Sequence, residues 1–445
     1  MVTVLIIGAG KSSSYLIETL LQYTIKKSGA WHVILADADE ATLKRKTEKY
    51  PLAEIAVLDI TNQAQRQKLV KRADIVLSLM PAHLHILLAK DCLEFEKNLI
   101  TSSYASDEMK ELDQKAKEKG LMFMCEMGLD PGIDHMTASH IFDSIRKVSS
   151  DILSFKSYCG GLIAPESDDN PWHYKFSWNP QNVINAGKDG ATFLKNGKEV
   201  RIGYEQVFEH TSTIHCEQVG KLAYYANRDS LPYIQLYDVP EAKDFLRATL
   251  RYPAFIKGWN GLIRMGLTDN NEEFDTDRLT YKDWMQQLIG YNDSSVSPEA
   301  FAWNKYDIKS LPVQKMIEWL DLFTDRHIGK GRLSSAAILL DILSRKWKME
   351  PSDKDMVVMQ HEIQYRYRGN VNNLVTSMVT IGANSEFSAM ARTVGMPMAI
   401  LAELVLSKNI RIPTGVVIPT MPEVYRPVLN RLRKYGIAFE DIISA

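Results

Sequence analysis

Six almost wholly apolar residues, Val2 to Ile7, run directly into Gly8-Ala9-Gly10-Lys11-Ser12-Ser13, and an amphipathic stretch continues to Ile25. A short apolar run without alternation reads as a strand buried on both faces. The glycines behind it make a tight turn and let backbone N–H groups at a helix N-terminus approach a pyrophosphate. Ser13 holds the third position of Gly-x-Gly-x-x-Gly, where close helix–strand packing asks only for a small residue. The Gly-Lys-Ser is not a P-loop, because Leu5 stands where that loop's first glycine belongs. The plain alternative is a structural strand-to-helix turn. Trp31 to Ala36 is the next strand, ending at Asp37, an acid placed to accept hydrogen bonds from a ribose diol. Asp37 would repel a 2′-phosphate and so favours NAD over NADP, although Lys44, Arg45 and Lys46 could offset it. Asp39 suits the N-cap of a helix starting near Glu40.

Strands and helices then alternate. Glu54 to Leu58 is a strand ending at Asp59, Ile75 to Leu79 another, and Asn98 to Thr101 a fifth, ending at Ser102-Ser103-Tyr104. Helices are expected over Thr61 to Lys71, Leu84 to Phe95 and Ser106 to Lys119, and Leu121 to Cys125 is the sixth strand. The pattern predicts an α/β fold, a doubly wound parallel sheet whose strand ends converge on one crevice. Such a sheet uses under a third of 445 residues, so two or three domains are expected. The net charge of −2, from 53 basic and 55 acidic residues, gives no footprint for nucleic acid. Cys92, Cys125, Cys159 and Cys216 are far apart and match no metal spacing; free thiols suit a reducing compartment, so the expectation is cytoplasmic. Met1 to Ile7 lacks a positive n-region, and no apolar run approaches the ~18 residues of a membrane-spanning helix, so no membrane partner is expected.

The sixth strand leads into Glu126-Met127-Gly128-Leu129-Asp130-Pro131-Gly132-Ile133-Asp134-His135. The Pro-Gly pair marks a sharp reversal at the sheet edge, before an amphipathic stretch from Met136 to Val148. Asp130 sits on the turn; Asp134 is the expected helix N-cap and His135 a structural residue. Beyond it, Ile152 to Tyr158 is a strand, Phe193 to Ile202 a hairpin about Asn196-Gly197, and Glu241 to Met349 helical. Asp355 to Tyr367 and Asn372 to Ile381 read as antiparallel strands around Gly369-Asn370. Phe387 to Leu406 is a long apolar helix and Gly415 to Ile418 a last short strand.

These residues carry a resemblance. Gly8-Ala9-Gly10, Ser103-Tyr104, Glu126 to His135, Ser157-Tyr158-Cys159-Gly160-Gly161, Ala164-Pro165-Glu166-Ser167, Tyr174-Lys175-Phe176-Ser177-Trp178, Asn227-Arg228-Asp229-Ser230, Thr249-Leu250-Arg251-Tyr252 and Phe387-Ser388-Ala389-Met390-Ala391 occur in one order. In this the chain closely resembles the L-glutamate-forming saccharopine dehydrogenase (saccharopine reductase) family, over nearly its full length. The resemblance implies a variant Rossmann domain, an α/β substrate domain and an all-helical domain. The boundaries expected are 1–130 with a return at 386–445, 131–245 with 352–385, and 246–351. It implies reversible oxidation of saccharopine to an imine that hydrolyses to L-glutamate and 2-aminoadipate 6-semialdehyde. NADP-dependent fungal members carry Arg-Thr where this chain has Asp37-Ala38, which again favours NAD. Around Thr24 to Gly29 the chain also carries an insertion relative to the family.

The chemistry needs a cofactor cradle, carboxylate clamps and an acid/base near the amine. The expected cofactor contacts are Gly8, Gly10, Lys11, Ser12, Asp37, Asp59, Leu79, Ser102, Leu129 and Trp178, the last with core packing as its alternative. Arg228 and Arg251 are the candidate clamps, since a guanidinium–carboxylate pair is strong and orienting. Ser103, Tyr104, Asp130 and Thr249 complete the expected substrate set. Asp130, Tyr104 and Cys159 are the candidates for proton handling, against null roles in turn stabilisation, packing and an inert buried thiol. No metal set is expected, and a homodimer is the candidate assembly. The competing functions are a dehydrogenase of another carboxyalkyl amine, such as carboxynorspermidine, and a non-catalytic dinucleotide sensor. A sensor would have no use for Arg228, Arg251 and Asp130 together.

Overall fold

The computed structural model describes residues 1–26, 30–148 and 151–444, with side chains up to 440. Residues 27–29 of the insertion therefore lie outside the described residues. The chain divides into two compact units: 1–152 with 236–239 and 364–445, and 153–235 with 240–363.

In the first unit, β1 (Val2–Ile7), β2 (Trp31–Asp37), β3 (Glu54–Val57), β4 (Ile75–Ser78), β5 (Asn98–Thr101) and β6 (Met122–Met124) form a parallel sheet in the order 6-5-4-1-2-3. The buried faces of Val4 to Ile7, Val33 to Ala36 and Ile75 to Leu77 explain why these runs lack alternation. The order reverses between β1 and β4, which opens a crevice beyond their carboxyl ends. The expected helix from Ser106 to Lys119 is two short ones, Asp107–Lys110 and Asp113–Glu118. The helix after the Pro-Gly turn spans Ile133–Arg146 and starts three residues earlier than expected.

The second unit is built on β7 (Ile152–Ile163), β8 (Ala191–Lys195), β9 (Lys198–Ile202), β10 (Ser212–Cys216), β11 (Gly220–Ala226), β12 (Arg228–Asp229), β13 (Asp244–Arg251), a small pair β14 (Glu273–Asp275) and β15 (Arg332–Ser334), and β16 (Asp355–Tyr367). The main path is β10-β11-β13-β7-β16. The hairpin falls at Asn196 and Gly197, both at positive φ, as its turn type requires. β13 corrects the expected helical stretch. Its run Asp-Phe-Leu-Arg-Ala-Thr-Leu-Arg is buried on both faces between β7 and β11, so it shows no strand alternation. The helices of 253–347 lie in the same compact unit as the α/β part and share one aromatic core with it. Trp172 and Trp347 meet edge-on at 5.4 Å, and Phe255 stacks on Trp259 at 5.5 Å.

After 363 the chain returns to the first unit with β17 (Asn370–Ile381), β18 (Gly415–Val417) and β19 (Glu440–Ser444). β18 pairs in parallel with β6 and becomes a seventh strand. The helix Ala389–Leu406 is long and apolar enough to cross a membrane, with mean hydropathy 1.5, contrary to the expectation from the sequence. It is 83% buried, carries Arg392 and Glu403, and lies against the first helix. A Cβ on Gly395 would come within 2.9 Å of the Leu16 backbone nitrogen, so only glycine permits this approach.

Candidate active site

The crevice of the first unit starts from Gly8. Its φ is +104°, and a Cβ there would lie 3.1 Å from the Leu79 backbone, so both conformation and space require glycine. Leu79 thus contributes backbone to the turn. Gly10 is exposed, with open space where its Cβ would be, and leaves the backbone of Lys11 and Ser12 approachable. Asp37, ending β2, accepts hydrogen bonds from Ala9 N at 2.6 Å and Asp39 N at 3.0 Å. It locks the glycine turn to the second strand. Asp39 is the N-cap of Glu40–Thr47, as expected, accepting from Ala41 N and Thr42 N. Ala9, Gly10, Asp37 and Asp39 line an open pocket of about 260 Å³ with Lys11, Thr42, Arg45, Lys46, Ser385 and Glu386. The Lys44 ammonium is held by exposed Glu40 at 2.6 Å. Asp59, expected as a cofactor contact, is an exposed turn residue that binds Thr61 N and its hydroxyl.

Past β5 and β6 the same unit gathers a second group. Tyr104 donates to Asp130 Oδ1 at 3.0 Å, so these two candidates form one pair. Ser103 Oγ lies 2.9 Å from His85 Nε2, and His85 Nδ1 lies 2.8 Å from Ser78 Oγ. Burial, with a small contribution from His83, pulls the His85 pKa down to about 4. The imidazole is therefore neutral near pH 7, with one donor and one acceptor nitrogen between two hydroxyls. His85 was not singled out from the sequence, although its place just after a sheet-edge Pro81 was a usable signal.

The Pro-Gly turn is fixed from within. The Asp130–Pro131 peptide is cis, and Gly132 has φ +145°. A Cβ on Gly132 would sit 2.1 Å from Gly128 O, and one on Gly128 would be 3.2 Å from Ser102. Ser102 and buried Leu129 therefore wall the turn. Asp134 is not the N-cap: Gly132 holds that position, and Asp134 Oδ1 reaches back to accept from Gly132 N at 2.6 Å. His135 is structural as expected, fully buried between Tyr237 at 2.6 Å and Glu126 at 2.8 Å.

In the second unit, Cys159 on β7 and Thr249 on β13 are register partners in a parallel pair. Arg228 is exposed, at φ +54°, and ion-paired to Asp189 at 2.9 Å. Arg251, the other expected clamp, is enclosed. It is 4% exposed, donates to Leu250 O at 2.7 Å and lies over Tyr174 and Phe255 at 5.2 and 5.5 Å. Its guanidinium lies against these rings, and its buried Nε has no hydrogen-bond partner among the described residues. Trp178 is partly buried against the same core and donates to Tyr174 Oη at 3.1 Å.

A glycine cradle at the switch point of a doubly wound sheet, closed by an acid on the second strand, defines a dinucleotide-binding protein. Residues 4–124 match the saccharopine dehydrogenase NADP binding domain, and residues 128–437 match the saccharopine dehydrogenase C-terminal domain. The chain belongs to the saccharopine dehydrogenase family. It is 34% identical over 450 residues to the mitochondrial alpha-aminoadipic semialdehyde synthase of Bos taurus, covering 98% of this chain but 47% of that protein. It thus spans about half the length of that relative. It is 33% identical over 392 residues to the saccharopine dehydrogenase [NADP(+), L-glutamate-forming] of Saccharomyces cerevisiae, covering 86% of this chain and 87% of that one. The structure of the apo yeast saccharopine dehydrogenase (L-Glu forming) matches over the whole of both chains, with TM-score 0.88 and 29% identity.

Proposed function

We propose that this chain is an L-glutamate-forming saccharopine dehydrogenase, oxidising the secondary amine of saccharopine to an imine that water splits into L-glutamate and 2-aminoadipate 6-semialdehyde. The observation that carries this reading is the likeness to the yeast enzyme along the whole chain. A nicotinamide dinucleotide, seated by Gly8, Gly10 and Asp37, would supply the hydride acceptor.

The remaining work falls to side chains. Asp130 offers a carboxylate to the substrate's amine, and Tyr104, already hydrogen-bonded to it, offers a hydroxyl through which a proton can leave. Their coupling suits a group that must lose a proton as the imine forms and then accept one from attacking water. Ser103, braced by His85, presents a second hydroxyl of fixed direction. Thr249 and Cys159 lie side by side and supply a further donor and a thiol. Arg228 is the carboxylate clamp, and its pairing with Asp189 is one that a bidentate substrate carboxylate can replace. In the same reading the enzyme works in a reducing compartment such as the cytoplasm, which four cysteines far apart in the sequence support.

The test is direct. Incubation with saccharopine and either NAD or NADP should reduce the nicotinamide, and no reduction with either, from neutral to alkaline pH, sinks the reading. The distinction from a carboxynorspermidine-type substrate rests on the pair Arg228 and Arg251, and the same assay with that amine decides it.

A further inference from the structure

We propose that Glu386 selects the coenzyme, by holding Arg45 and Lys46 as their counter-anion so that the pocket accepts the free ribose diol of NAD and rejects a 2′-phosphate. The inference rests on the reading that this pocket holds the adenosine end of a nicotinamide dinucleotide.

The pocket has two cations that could serve a phosphate, Arg45 and Lys46, beside the acid that reads the ribose, Asp37. Both are already paired with the same carboxylate. Glu386 Oε2 takes Arg45 Nη1, and Glu386 Oε1 takes Lys46 Nζ at 2.7 Å. Ser14 closes the ring, accepting from Lys46 at 2.6 Å and donating to Glu386 at 2.7 Å. The Lys46 side chain is 5% exposed, so its ammonium faces its partners and not solvent. Burial alone would disfavour charge on Glu386, but Lys46, Ser14 and Arg45 outweigh it and bring its pKa down to about 2. The carboxylate is thus anionic throughout the physiological range.

Glu386 is also held in place by its own segment. Asn384 Oδ1 accepts from Glu386 N at 3.0 Å and Phe387 N at 2.7 Å. The Phe387 ring packs edge-on against Tyr15 at 5.3 Å, and Ser388 caps the helix that follows. A 2′-phosphate would therefore face Asp37 and Glu386 together, or have to displace a doubly paired carboxylate. Discrimination of this kind comes from a built-in repulsion and not from an extra contact to the preferred ligand.

The experiment titrates NADH and NADPH against the whole chain without substrate, by calorimetry and by quenching of tryptophan emission, for the native protein and for Glu386→Gln. The native protein should bind NADH at least about tenfold more tightly. In Glu386→Gln the NADPH-to-NADH affinity ratio should rise by about tenfold or more, and Arg45→Ala in that background should take the gain away. An unchanged ratio in a folded Glu386→Gln protein, or a native preference for NADPH, overturns the proposal. Should the variant not fold, ADP against 2′,5′-ADP on the native protein decides, since equal or tighter binding of 2′,5′-ADP overturns it. Failure to bind either dinucleotide would instead reject the dinucleotide reading. Binding without turnover of saccharopine would reject the substrate and leave the role of Glu386 standing.

Discussion

His85 and Arg228 show how differently a single side chain can be committed. His85 is buried and neutral, its pKa near 4 against an ordinary 6.5, while the unfolded chain keeps the ordinary value. A histidine depressed in the folded state contributes fully above pH 6.5, and that contribution is lost as pH falls toward 4, because only the unfolded chain takes up the proton in that interval. Over the whole window the loss is about 3 kcal/mol. Urea unfolding of the native protein and of His85→Asn, run from pH 7 to 4.5, should show a steeper loss in the native protein; parallel curves would refute it. Arg228 is exposed and paired to a carboxylate that also faces solvent. Arg228→Ala should raise the KM for saccharopine by roughly 10- to 100-fold while dinucleotide affinity holds. Weakened dinucleotide binding with an unchanged KM would count against the clamp.

Among the elements, the turn at 126–135 has the least freedom. Gly132→Ala would force a Cβ into the Gly128 carbonyl at a φ that alanine avoids, and should cost about 3 kcal/mol of stability, measured as a lowered denaturant midpoint. The first six strands were readable because apolar runs, turn residues and crossover helices agree locally. β13 was not, because a strand in the middle of a sheet loses the alternation that marks it, and its neighbours β7 and β11 are remote in sequence or adjacent only after folding. The site divides the same way. Gly8, Gly10 and Asp37 announce themselves by spacing, and Tyr104 and Asp130 by standing at strand ends. For Arg251 the sequence does not show how enclosed the guanidinium is, since the rings of Tyr174 and Phe255 come against it only in the fold. Glu386 left no local trace, since its partners Arg45 and Lys46 are 341 and 340 residues away.

At the scale of the molecule, the first unit is assembled from both halves of the chain. Residues 364–445 bring the seventh strand, the buried helix Ala389–Leu406 and one wall of the coenzyme pocket. Besides the close approach of Gly395 to Leu16, Arg392 donates to Tyr15 Oη at 3.1 Å. A fragment ending at residue 363 should therefore bind no NADH and expose apolar surface of the first helix to a hydrophobic dye. NADH binding by such a fragment would show that the returning segment is dispensable.

This discontinuity sets an order of events during synthesis. Residues 153–363, 211 in all, separate the first stretch of unit 1 from its last, and only 236–239 among them belong to it. At ordinary translation speeds, that is roughly 10 to 40 s in which a six-stranded sheet waits on the ribosome without its last strand or its covering helix. The second unit can close on its own contiguous chain during that interval. The nascent first unit therefore depends on chaperones or on its neighbours until residues 389–417 emerge, and the coenzyme can assist folding only in the final moments.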